Sequence, residues 1–210
     1  MCIRDRPEFT SLFREELGTR ELRVSMTADP TVFEAVAATG TRLLWLHSFG
    51  ERFAGPDRPA NRVPRGETRG TVPVSNRPEG YPETIAYDAA GQRMIVGTGV
   101  FEPVRPAVWA FEVSGLKVVE AWLAYRSRAG AGRRRSNLDR IRPRSWTAAF
   151  TRELLELLWV IEATLAGYAE QSRLLDAVLN GPLIDAVDLP EVPAQVRGPV
   201  AVVPLLEGEE

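Results

Sequence analysis

Arg126, Arg128, Arg133, Arg134, Arg135, Arg140, Arg142 and Arg144 fall within one short stretch of the chain, with Asp139 the only acid among them. A guanidinium stays charged at any physiological pH and presents its N–H donors as a planar fork, so its natural partners are oxyanions and paired acceptors. Phosphates meet the first description and the major-groove edge of guanine meets the second. Asn137, in the same stretch, holds a donor and an acceptor side by side, the pattern that matches adenine. Gly130, Gly132 and Ser136 interrupt the run, and its composition forbids a packed interior, which predicts a solvated loop. The plainer reading is that arginine is simply the default base here, because Lys117 is the only lysine. Composition alone leaves a polyanion-binding loop and an incidental solvated one evenly matched.

Other chemistry is tested by what it requires. A phosphate-cradling P-loop needs a lysine after glycine and before serine or threonine, and Lys117 lies between Leu116 and Val118. A metal-dependent nuclease core of the common type needs an acid two places before its lysine, where Gly115 stands. The string Gly97-Thr98-Gly99-Val100-Phe101 resembles the glycine turn of adenine methyltransferases. It runs into Glu102-Pro103 instead of opening a helix, and no two prolines are adjacent anywhere to present an aromatic ring to a flipped base. A hairpin-exit turn is the better reading. His47 sits among Trp45, Leu46 and Phe49 with no nucleophile elbow nearby and reads as a structural or surface histidine. With Cys2 the only cysteine and His47 the only histidine, a zinc cluster of about four such ligands and a disulfide are both excluded. The chain should carry no catalytic residue, no metal and no cofactor of its own.

The elements that must position the arginines come from the remainder of the 210 residues. An apolar fraction of 44%, with 26% charged and a formal net charge of −2, belongs to an ordinary globular chain able to bury about 70% of its unfolded surface. No apolar run approaches the roughly 20 residues that span a bilayer, and a reducing, cytoplasmic setting is expected. Met1 to Arg6 resembles a translated sequencing-adapter leader and is set aside, with the true amino terminus expected to be missing.

Residues 7–53 read as helical. A short helix is expected from Thr10 to Leu17, and a longer one starts at Asp29-Pro30, a capping acceptor followed by a residue pre-set for the first turn. Its apolar face runs through Val32, Phe33, Val36, Ala37, Leu43, Leu44 and Leu46 to Gly50. Residues 54–80, dense in proline, glycine and arginine, read as a surface loop. Period-two alternation from Ile85 to Val96 predicts a hairpin with Gly91 in the left-handed position, and a third strand is expected over Val108–Val113. Val118, Val119, Trp122 and Leu123 mark a helix whose last turn holds Tyr125 and Arg126, completing with the arginine stretch a unit over 81–146. Over 147–185, Thr147 caps a long helix with Leu154, Leu158, Ile161 and Leu165 on one face and Glu153, Glu156 and Glu162 elsewhere. A partner helix carries Leu174, Leu175, Val178 and Leu179. Residues 186–210 read as a loose tail. The fold class is α+β: a small antiparallel hairpin or meander flanked by helices, with a carboxy-terminal αα-hairpin. Trp109, Trp122, Trp146 and Trp159 lie on apolar faces and are expected in the core.

Four strings carry a resemblance: Tyr81-Pro82-Glu83-Thr84-Ile85-Ala86-Tyr87-Asp88, Val108-Trp109-Ala110-Phe111-Glu112-Val113-Ser114-Gly115, Trp122-Leu123-Ala124-Tyr125-Arg126 and Leu138-Asp139-Arg140-Ile141-Arg142-Pro143. In order and spacing they resemble the specificity domain that closes type ISP restriction-modification enzymes, and the likeness extends over about residues 7 to 185. The resemblance implies a parent enzyme with nuclease, ATP-driven translocase and adenine N6-methyltransferase domains, using S-adenosylmethionine, ATP and Mg2+, of which this chain is the part that chooses the DNA sequence. Its partners would then be double-stranded DNA and the methyltransferase and translocase domains of the same polypeptide. On that footing Arg133, Arg134 and Arg135 would follow the phosphate backbone while Arg126, Arg128, Asn137 or Arg140 reach base edges, with Arg142 and Arg144 completing the basic surface. Two rivals stand beside it: a chain that itself belongs to a methyltransferase catalytic domain, and a helical protein-interaction module.

Overall fold

The computed structural model describes residues 25–50, 63–127 and 145–190. The expected helix near Thr10, the leader, residues 128–144 and the tail beyond 190 lie outside the described residues.

The helix start at Asp29 forms as its sequence dictates. Helix α1 spans Pro30–His47, with Pro30 in its first turn, and the Asp29 carboxylate accepts from the N–H groups of Thr31 and Val32. Only its second half is packed, through Leu43 and Leu46, while Phe33 and Val36 remain exposed. The expected apolar face is therefore used over half its length.

Strand β1 is Arg69–Val72, β2 Ile85–Asp88, β3 Arg93–Val96 and β4 Gly99–Glu102. They form one antiparallel sheet in the order β1-β4-β3-β2. The β2–β3 hairpin is the expected one, but its left-handed residue is Gln92 (φ 49°) and not Gly91. Gly91 is required for a different reason. A Cβ there would lie 2.6 Å from the Asp88 carboxylate, which accepts from the Gly91 N–H and pairs with Arg93 at 2.7 Å. These contacts, the Gly91 N–H foremost, hold the Asp88 carboxyl below its usual range.

Two expectations are corrected. The 54–80 segment, read as a loop, contributes strand β1 and a single 3-10 turn at Pro78–Gly80. All four β1 residues are exposed, so the strand has no hydrophobic alternation to betray it and is held at the sheet edge by its backbone pairing with β4. The third strand is not Val108–Val113 but β4, reached from β3 through the tight Gly97-Thr98 turn with Gly97 at φ 56°. Pro106 instead opens a one-turn helix, α2 (Pro106–Trp109), and only Glu112–Val113 is extended. That strand, β5, pairs with β6 (Leu116–Lys117) through Ser114 and Gly115, both left-handed. Helix α3 then runs from Val118 to Ala124.

Helix α4 (Ala148–Ala166) is capped by Thr147, whose hydroxyl accepts from the Phe150 N–H. It continues through Gly167 alone into α5 (Tyr168–Asn180). Leu154, Leu158 and Ile161 close the main core against Met94, Val96 and Phe101 of the sheet and Val119 and Leu123 of α3. Another face of α4 meets α1 through Val160, packed with Leu46 and Val63. Trp146 is buried at 2% exposure, and Trp109, Trp122 and Trp159 are packed against the two cores, as expected of them. The α1 end is tied to the residues after α5: Ala28 N–H donates to the Pro182 carbonyl and Ile184 N–H to the Met26 carbonyl. Among the described residues no helix is long and apolar enough to cross a membrane.

Glu162, expected off the leucine stripe of α4, has a place that its sequence does not announce. It is 5% exposed, and its carboxylate accepts from the backbone N–H groups of Glu67 (2.6 Å) and Thr68 (3.1 Å) and from the Thr68 hydroxyl. Trp159 Nε1 donates to the Thr68 carbonyl at 2.9 Å, so α4 grips the entry to β1 through both the N–H and the carbonyl of Thr68. Gly66 permits this approach, because a Cβ there would lie 1.8 Å from Glu162 Oε2. Gly66→Ala is expected to destabilise the fold by about 1–3 kcal/mol through forced separation of α4 and β1. Glu162→Leu should cost about the same by stranding buried N–H donors. Urea denaturation monitored by tryptophan fluorescence measures both, and midpoints at the parent value would refute the linkage.

His47 closes the α1–α4 contact. The Thr164 hydroxyl donates to the Val160 carbonyl, which leaves its lone pair to accept from His47 Nε2 at 3.1 Å. Burial lowers the His47 pKa below 6.5. The unfolded chain therefore takes up a proton just below pH 6.5 that the folded chain refuses, so this contribution is complete above that value and is lost as pH falls through the folded-state pKa. Relative to His47→Gln, the parent protein should lose stability between neutral pH and pH values below 6.5, as read by paired denaturant titrations; identical pH profiles would exclude the contribution.

Candidate nucleic-acid interface

Helix α3 ends in a cation–aromatic arrangement that its spacing favours. Trp122 and Arg126 lie four residues apart, close enough on a helical turn for one side chain to fold over the other. The Arg126 guanidinium carbon stands 4.0 Å from the Trp122 ring centroid and 5.5 Å from that of Phe150 on α4. Its Nη1 donates to the Trp122 carbonyl at 3.4 Å, and Nη2 lies 3.5 Å from Glu153 Oε2. Nε is buried and makes no hydrogen bond, so ring faces and the outer nitrogens hold the group. The Arg126 carbonyl accepts from the Tyr81 hydroxyl at 2.9 Å, which pins the backbone as well. The side chain is 28% exposed.

The chain returns to the same place at Trp146. Its ring stands edge-on to Trp122 (centroids 6.2 Å, 71°) and to Phe150 (5.6 Å, 73°), and its Nε1 donates to the Thr151 hydroxyl at 2.8 Å. Residues 128–144, with seven of the eight clustered arginines, thus leave and rejoin the scaffold at a single aromatic cluster built from α3, Trp146 and the first turns of α4.

A cleft of 610 Å³ opens beside the return point, between the exposed β1 edge and the start of α4. Gly70, Val72, Ser75, Asn76, Thr147 and Thr151 line it, with Trp146 in its wall. Tyr125, next to the inward-turned Arg126, faces solvent at 75% exposure.

Of the residues singled out by sequence, Arg126 alone is described. Arg128, Arg133, Arg134, Arg135, Asn137, Arg140, Arg142 and Arg144 lie outside the described residues. Sequence reasoning did not find Tyr81, Phe150 or Glu153 as partners of Arg126. The only available signal was the pairing of Trp122 with Arg126 at helical spacing; their meeting with α4 depends on tertiary packing.

The Gly97–Phe101 string takes a shape unrelated to cofactor binding by a glycine turn. It is a reversal between neighbouring antiparallel strands, with Gly99 pressed so near Val74 that a Cβ would stand 2.3 Å from it. Among the described residues no group of three or more His, Cys, Asp or Glu could hold a metal ion.

Comparison with curated proteins and with solved structures finds no match. The family model described as the Type ISP C-terminal specificity domain matches residues 3–157, a span that takes in the sheet, α3, the arginine stretch and the start of α4. With an α+β scaffold that gathers both ends of a guanidinium-rich segment at one point, and with that match over most of its length, the chain belongs to the type ISP C-terminal specificity domain family, whose role is target recognition in type ISP enzymes.

Proposed function

We propose that this chain is the DNA sequence-recognition module of a type ISP restriction-modification enzyme, binding duplex DNA so that other domains of the parent polypeptide carry out adenine N6-methylation and ATP-dependent cleavage. S-adenosylmethionine, ATP and Mg2+ would belong to those domains, which are also its protein partners. The observation that carries the reading is the convergence of both ends of the 128–144 segment on one aromatic cluster, within a chain of this family. Seven arginines lie in the sequence between those two ends.

Phosphate contacts supply most of the affinity of such a module, and base-edge contacts supply the choice of sequence. Arg133, Arg134 and Arg135 are assigned to the backbone, Arg128, Asn137 and Arg140 to base edges, and Arg142 and Arg144 to the surrounding basic surface. Each bidentate base contact contributes roughly 1–3 kcal/mol of discrimination. The rival in which the chain itself transfers methyl groups draws no support from Gly97–Phe101, which is a hairpin turn.

Fluorescence anisotropy on duplex DNA tests the proposal. With about six phosphates neutralised, affinity should fall about a thousandfold between roughly 50 and 200 mM salt, and a flat response would rule out phosphate tracking. Arg140→Ala should relax one position of the sequence selected from a randomised duplex pool by roughly 1–3 kcal/mol. Equal weakening on every duplex would reassign that residue to the backbone.

A further inference from the structure

Arg126 belongs by sequence to the arginine cluster but by structure to the scaffold. Four groups engage it: the Trp122 face, the Phe150 face, the Glu153 carboxylate and the Trp122 carbonyl. A guanidinium reading a guanine must aim its fork of N–H groups at the base edge, and one neutralising a phosphate must face the polyanion. Here one outer nitrogen is turned to the Trp122 carbonyl, the other stands near Glu153, and Nε is sealed from solvent. The neighbouring backbone is fixed by Tyr81, and Ser127 is buried at 2% exposure.

We infer that Arg126 is a positioning residue for DNA recognition: it locks the point where the 128–144 segment leaves the scaffold to the point where it returns, and makes no contact with DNA itself. The inference rests on the recognition role proposed above and assigns Arg126 a task different from that of the other arginines. Trp122 carries the geometry, because it touches Arg126 on the departing side and Trp146 on the returning side. Phe150 repeats both contacts from α4. Removing the guanidinium uncouples the residues before 128 from those after 144, and DNA binding must then supply the ordering that this anchor provided.

Four variants of the full chain separate the possibilities, the first being Arg126→Ala, which removes the charge altogether. Arg126→Lys keeps the positive charge but loses the planar fork and most of the ring stacking. Glu153→Gln removes the ion-pair partner at a half-exposed position. His47→Gln, distant in role from the cluster, serves as the control for a general loss of stability. Anisotropy is measured on a randomised duplex pool across a salt series, at a temperature where each variant is folded by circular dichroism.

The expected result for Arg126→Lys is an affinity about tenfold weaker on all duplexes alike, with the salt slope and the selected sequence unchanged and with His47→Gln at parent affinity. Glu153→Gln should move in the same direction by a smaller factor. Parent affinity in Arg126→Lys overturns the inference, since lysine would then be rescuing a simple phosphate contact. Loss of discrimination at one base pair overturns it in favour of a base reader, and a salt slope reduced by about one in Arg126→Ala does so in favour of a backbone contact.

A DNA-free measurement keeps the inference distinct from the recognition role. Trypsin cleavage after the arginines between 128 and 144 should be about tenfold faster in Arg126→Lys than in the parent chain, with His47→Gln unchanged. An unaltered cleavage rate removes the anchor even if DNA binding stands. Faster cleavage in a protein that shows no salt-dependent DNA binding keeps the anchor and removes the recognition role.

Discussion

A carboxylate withdrawn from water costs several kcal/mol unless its lone pairs are filled, and Glu162 has them filled by backbone N–H groups that would otherwise be orphaned at the approach to an edge strand. The two deficits cancel. Neither side could be buried alone: without the acid, the Glu67 and Thr68 N–H groups face an apolar helix, and without that peptide the acid faces the core. The join positions β1 against α4 and so fixes where the sheet edge lies relative to the helix that organises the molecule. Gly66 makes the approach possible, and Trp159 completes it at the Thr68 carbonyl, in the next peptide along.

Helix α4 ties separate parts of the chain together because several of its faces are buried. One faces the sheet and α3, another faces α1, and Glu162 and Trp159 engage the segment before β1. Its first turns also carry Phe150 and Glu153, the partners of Arg126, and take Trp146 across them. The stability of the fold and the geometry from which the arginine stretch departs thus depend on one rigid element.

The chemistry of arginine has two sides. The fork and the permanent charge suit phosphates and guanine edges, and the flat, weakly hydrated face suits tryptophan. Position within the fold, and not residue type, separates Arg126 from its neighbours in sequence. One helical turn after Trp122 and opposite Phe150, its guanidinium finds rings and a carboxylate before it finds solvent.

Much of this was legible in the order of residues, because local signals fixed it. Asp29-Pro30 and Thr147 announce helix starts through hydrogen bonds that reach only three residues ahead, and both helices begin there. The β2–β3 hairpin follows from alternation over a handful of residues, and the Leu154-Leu158-Ile161 stripe lies where its periodicity put it. What failed to show was whatever depended on a distant partner. Strand β1 has four exposed residues and exists because β4 completes its backbone hydrogen bonds. Glu162 reads only as an acid off the leucine stripe until the backbone nearly a hundred residues earlier is brought to it. Arg126 reads as one more cation in a basic run until α4 delivers Phe150 and Glu153. Periodicity and capping act within one or two turns and are written in the sequence; the pairing of a buried charge, an edge strand or a guanidinium is decided by which surfaces meet when the chain closes on itself.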